Sequence, residues 1–145
     1  MASAAYNQLK RGLLDGTLDL TSDTLKLMLV DNTYTFDADH DFVDDISGDE
    51  VSGTGYTGGF GGAGRKTLAN KAFSTDNAND RAEFTADAVT WTSLDVGTVR
   101  AAVVIKEITN DAASLPLWYL DLSDTASTGS DFTVTPNAEG FLQVT

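Results

Sequence analysis

Apolar positions recur with a helical period only once along the chain, near its start. Tyr6, Leu9 and Leu13 share one face of a helix predicted over Ala4 to Leu14. Ser3 stands where an N-cap belongs, Lys10 and Arg11 lie toward the end that favours positive charge, and Gly16 marks the stop. So short a helix is marginal alone, and its apolar face must dock on its own sheet or on a neighbouring subunit. The pattern then changes to a period of two. Leu25, Leu27 and Leu29 alternate with Lys26 and Met28 within a strand predicted over Thr17 to Asp31, which buries one face. Asp31-Asn32 is a turn signal, and Tyr34 to Glu50 reads as an acidic loop with interspersed aromatics.

The second half of the chain is strand-like throughout. Lys66 to Phe73 is ambiguous, and Thr75-Asp76-Asn77 is a turn. Arg81 to Trp91 alternates but shifts register near Asp87, as a bulge or break would cause. Val99 to Ile108 is the strongest strand, with Val99, Ala101, Val103 and Ile105 predicted on one face. Leu115 to Leu122 is its partner, with Pro116 near the start, where a missing donor is tolerated. Ser123 to Ser130 reads as loop, and Asp131–Thr135 and Gly140–Val144 as two short strands. Strands punctuated by turns at this spacing predict a mainly β fold, a single-domain antiparallel β-sandwich of jelly-roll-like type. One domain spans residues 1–145, with an N-terminal helical arm over 1–16 and an acidic and Gly-rich loop region over 32–66.

Between these halves lies Val51 to Lys66, VSGTGYTGGFGGAGRK, which holds seven of the thirteen glycines. Glycine loses the most freedom on ordering, so such a stretch makes a poor helix or strand. It suits a loop that drapes over something or lets another backbone come close, with Tyr56 and Phe60 as its only large side chains. Gly53 to Gly58 formally spells G-x-G-x-x-G, but a dinucleotide site needs a buried strand before it and a helix after it. Here acidic residues precede it and more glycine follows. The stretch from Gly59 to Thr67 misses a P-loop by one residue before its Lys-Thr pair. A flexible or interface-forming loop is the better reading.

Composition narrows the function classes. Twenty-two acidic residues face nine basic ones, a formal net charge of −13. Nucleic-acid binding depends on Lys and Arg neutralising phosphates, so no nucleic-acid partner is expected, nor an anionic membrane surface. High negative charge instead favours solubility at high local concentration. No apolar run approaches the ~20 residues of a membrane span, and the N-terminus lacks the apolar core of a secretory signal. With zero cysteines there are no disulfides, thiol nucleophiles or thiolate metal sites.

The chemistry-bearing residues are dispersed. His40, the single histidine, sits in DADHDF without a nucleophile motif, and reads as a solvated surface residue. Asp37, Asp39 and Asp41 imitate the start of an EF-hand loop. However, Phe42 stands where glycine is needed and Gly48 where the bidentate glutamate belongs. A looser cation site built from Asp37, Asp39, Asp41, Asp44 or Asp45 is the alternative to a hydrated acidic loop, and the hydrated loop is preferred. Carboxylate pairs for glycoside hydrolysis are uninformative in so acidic a chain. Trp91, Trp118 and Tyr119 read as core aromatics rather than a sugar-stacking platform. No cofactor, metal or catalytic residue is expected.

The order of segments carries a resemblance. From Leu13 to Val144 the chain reads LLDGTLDLTSDTLKLMLVDNTYTFDADHDFVDDI, EVSGTGYTGGF, AVTWT, VRAAVVIKE, LWYLDLSD and DFTVTPNAEGFLQV. Together these resemble a family of small tailed-bacteriophage virion proteins. The resemblance implies a non-enzymatic head decoration (cement) protein, β-rich and homotrimeric. Such a protein is made in the host cytoplasm and binds the major capsid protein on the capsid exterior. A tail-associated or receptor- or carbohydrate-binding virion module is the alternative. Contacts with the shell or a sister subunit are expected from Tyr6, Leu9 and Leu13 on the helix and from Tyr56 and Phe60 in the glycine loop.

Overall fold

The computed structural model describes residues 3–145. In chain order it contains β1 (Ala4–Ala5), α1 (Asn7–Asp15), β2 (Leu25–Asp31), β3 (Lys66–Thr67), β4 (Ala72–Asp76) and β5 (Arg81–Thr85). These are followed by β6 (Val89–Leu94), β7 (Gly97–Lys106), β8 (Leu115–Ser127), β9 (Ser130–Val134) and β10 (Leu142–Val144). With 45% strand, 10% helix and one short helix near the N-terminus, the fold is mainly β as expected. All strand pairs are antiparallel, and the strands form a five-stranded sheet β1-β8-β7-β2-β3, a three-stranded sheet β10-β5-β4 and the pair β6-β9.

The central strands bury both faces, not one. Leu25, Leu27 and Leu29 of β2 join a core with Phe84, Trp91, Leu94, Val134 and Leu142 of the smaller sheets. Met28 and Val30, on the opposite face, enter a second core with Tyr6, Tyr34, Val43, Ile46 and Tyr119. Each such side chain contributes about 1.5–3 kcal/mol by leaving water. Strand β7 behaves likewise, with one correction to the expected face. Between Val99 and Ala101 it takes two steps opposite the single step from Asp31 to Val30 of β2, so Val99 lies in the first core while Ala101, Val103 and Ile105 lie in the second. A bulge inserts one residue and exchanges the faces on either side of it.

The second core needs a cover, and the acidic segment provides it. Tyr34, Val43 and Ile46 are buried and Phe36 packs beside them, while the aspartates between them remain outside. Two short 3-10 turns, Val43–Asp45 and Ser47–Asp49, carry Val43 and the flanking Ile46 inward. The predicted helix begins later than its sequence pattern. Ala4 and Ala5 pair with Tyr119 and Trp118 as a strand, Tyr6 becomes the N-cap, and Ser3 plays no capping part. Gly16 stops the helix at φ +73°, the left-handed conformation glycine adopts readily. The break near Asp87 is real: β5 and β6 belong to different sheets. Strand β8 continues to Ser127, past the loop expected from Ser123, with Ser123 and Asp124 at positive φ where its register against β7 slips.

Candidate functional site

The glycine stretch is a close-packed wrapping rather than an open loop. Gly55, at φ +81°, would carry a Cβ 2.7 Å from the Thr92 carbonyl oxygen. A Cβ on Gly64 would lie 2.4 Å from the Tyr56 ring, so only glycine lets the chain pass here. Tyr56 is enclosed, its ring 6.3 Å from that of Trp91, whose Nε1 donates to the Gly64 carbonyl at 2.6 Å. The other backbone that comes close is therefore the chain's own.

Arg65, at the end of this stretch, is buried among carboxylates. Its Nε and Nη2 donate to Glu50 Oε1 and Oε2 at 2.9 and 2.7 Å. Nη1 and Nη2 donate to Asp111 at 2.6 and 3.1 Å, and Nη1 also reaches Glu107 at 3.3 Å. All five guanidinium N–H directions are used. Burial works against this charge, but hydrogen bonds and ion pairs to Glu50 and Asp111 outweigh it and hold the Arg65 pKa above its ordinary value. Lys26 pairs with the other oxygen of Glu107. Glu50 also accepts from the Tyr56 hydroxyl at 2.8 Å and from Gly59 N–H at 2.9 Å. The cluster ties the acidic cover, the glycine stretch and the β7–β8 connection to one another. Its polar atoms are spent on internal bonds.

The residues predicted to form a contact surface divide into two groups. Tyr6, Leu9 and Tyr56 are buried within the chain, which removes them from any surface of the protomer. Tyr6 exchanges a 2.8 Å hydrogen bond with the Tyr34 hydroxyl, and Tyr56 accepts from Leu29 N–H at 3.1 Å. Leu13 and Phe60 are open, at 41% and 46% exposure. His40 is half-buried rather than solvated, its Nδ1 3.0 Å from the Tyr34 hydroxyl. Trp91 and Tyr119 are buried in different cores and Trp118 is half-buried, so the three aromatics form no common platform. Within the acidic segment, Asp39 accepts from Asn7 Nδ2 at 2.6 Å, Asp41 from Gln8 Nε2 at 3.0 Å, and Asp45 from two backbone N–H groups. Among the described residues no three His, Asp or Glu side chains converge as metal ligands.

What stays open is a groove of about 720 Å³ between the last turn of α1 with the segment after it and the face of β10-β5-β4. Leu13, Leu18 and Leu20 form one wall, and Phe73, Phe84 and Val144 the other. Phe73 is 49% exposed even though its ring packs 5.2 Å from Phe84. Exposed Phe73 and Val144, on the two outer strands of one three-stranded sheet, are an unusual choice unless something covers them. Leu13 was legible as part of this surface; Phe73 and Val144 were missed. Their signal was an apolar residue immediately before the largely polar stretch Ser74 to Asp80 and another at the end of the last strand. Both are weak without the fold.

Comparison with family models, with curated proteins and with solved structures finds no match to any of them. Among the described residues no helix is long and apolar enough to cross a membrane.

Proposed function

We propose that this chain is a non-enzymatic virion component of a tailed bacteriophage, a head decoration protein that binds the outside of the shell and stabilises it. Self-association as a homotrimer belongs to the same proposal. The sequence resemblance supplies the family, and the open apolar groove lined by Leu13, Phe73 and Val144 supplies a docking surface. That groove is the observation that carries the reading. A protein meant to clamp a shell needs a rigid body and an exposed contact face. The cluster around Arg65 supports the first requirement, since it cross-links the loops that a β fold usually leaves mobile.

The test is attachment to phage particles lacking the chain. Purified protein is mixed with such particles, and the bound fraction is read after sedimentation. Saturable attachment is expected, with loss in a Leu13→Asn/Phe73→Asn double variant that keeps its near-ultraviolet circular dichroism. No attachment by the wild-type chain would contradict the proposal.

A further inference from the structure

We infer that the groove takes an extended segment of a partner protein in which apolar residues alternate with lysine or arginine, added as a fourth strand beside β4. The inference rests on the docking role proposed above and specifies the partner's chemistry.

Strand β4 pairs with β5 on one side only, and among the described residues its other edge has no neighbour in the sheet. An open strand edge offers a row of backbone donors and acceptors to another chain. Protected edges are very short or carry charged side chains, above all lysine, a proline or a bulge. Strand β4 is short and its one charged residue is Asp76 at its end; Ala72, Phe73, Ser74 and Thr75 are uncharged and exposed, and the register with β5 is regular.

The two faces of this small sheet specify what an added strand must carry. In register, Phe73, Phe84 and Leu142 form one row, and Thr75, Ala82 and Val144 the next. Both rows belong to the groove lining. The opposite face holds Ser74, Glu83 and Gln143, then Asp76 and Arg81. There Arg81 is shared by three carboxylates, at 3.2 Å from Asp76, 2.9 Å from Glu83 and 3.1 Å from Glu139. Three negative groups around one positive group leave a surplus of negative charge. Among the described residues the groove lining adds Asp19 and no lysine or arginine. Successive side chains of a strand point to opposite faces, so an incoming strand meets Phe73 and the methyl-bearing Thr75 with one set and the carboxylate surplus with the other. Alternating apolar and basic residues satisfy both faces. A second copy of this chain does not: pairing β4 with β4 would bring two such surpluses together, on chains of net charge −13.

The experiment uses the full chain and a fluorescein-labelled decapeptide of alternating valine and lysine, followed by anisotropy. Saturable binding is expected, weakened by salt and reduced at least about tenfold by Phe73→Asn, which leaves the charge unchanged. Val144→Asn serves as the second variant should Phe73→Asn lose its near-ultraviolet signal. Equal binding of an asparagine–lysine decapeptide would reduce the effect to charge alone and overturn the inference. Equal binding of a valine–glutamate decapeptide would overturn it by removing the charge term. A wild-type dimer in sedimentation equilibrium that Phe73→Asn dissolves would assign the groove to a second copy, again overturning it. Particle attachment without peptide binding removes this inference and leaves the docking role. Peptide binding without attachment does the reverse.

Discussion

Arg65 and Glu50 form a two-pronged ion pair, 2.9 and 2.7 Å across its two hydrogen bonds, with both side chains almost fully withdrawn from water. They are 15 residues apart and bracket the glycine stretch. The pair closes that stretch into a ring around Tyr56, whose hydroxyl donates to the same Glu50 carboxylate. A buried pair of this kind adds little net stability over an apolar equivalent, but breaking it strands charge in a dry site.

Arg65→Ala leaves Glu50, Glu107 and Asp111 without their shared cation. The expected loss is about 3–5 kcal/mol, or roughly a 10 °C fall in thermal midpoint for a chain of this size. Arg11, whose side chain is largely exposed beside Asp15, provides the contrast. Arg11→Ala should leave the midpoint unchanged within error. Denaturant and thermal unfolding of both variants measure the difference; equal midpoints would contradict the structural role of the Arg65 cluster.

Gly64→Ala places a methyl group against the Tyr56 ring and displaces the carbonyl that Trp91 donates to. Overpacking of this kind costs about 1–3 kcal/mol. Gly48→Ala, which meets nothing within 4 Å, should be near neutral. Tryptophan emission should shift to longer wavelength in the first variant only, because Trp91 loses its enclosure.

The four tyrosines give a pH dependence with a definite sign. Burial raises the Tyr34 pKa from its ordinary 10.0 to about 12, and burial raises those of Tyr6, Tyr56 and Tyr119 as well. The folded state holds these protons more tightly than the unfolded state. Their stabilising contribution is therefore complete below pH 10.0 and declines as pH rises toward about 12, the folded value of Tyr34. The slope is at most about 1.4 kcal/mol per pH unit for each tyrosine. Absorbance at the tyrosinate band should stay flat through the ordinary tyrosine range, then rise together with loss of circular dichroism. A tyrosine ionising near its ordinary pKa in folded protein would contradict its burial.

Much of the fold was legible because strand periodicity survives in the residues themselves. VRAAVVIKEI could only be a buried strand, and the punctuation by Asn110-Asp111 and Pro136-Asn137 placed its neighbours. Face assignment failed at Val99, since a bulge leaves no mark in a run where nearly every residue is apolar. The cover formed by Tyr34, Phe36, Val43 and Ile46 was hidden for a different reason. Those residues follow no regular period, and the aspartates between them dominate the composition. Arg65 was visible only as half of a basic pair. Its partners lie 15, 42 and 46 positions away, a convergence that local pattern cannot reveal. The contact residues divided on the same ground. Spacing placed Tyr6, Leu9 and Leu13 on one face, but sequence does not say which part of that face the chain covers itself.

The most direct test of the central proposal is quantitative mass spectrometry of purified phage particles from the source, giving copies of this chain per copy of the major shell protein. The account predicts near-stoichiometric abundance, as decoration of the whole shell requires. A few copies per particle would move the chain to the tail or the head–tail junction and contradict the decoration role. Absence from the particle would contradict the virion reading altogether.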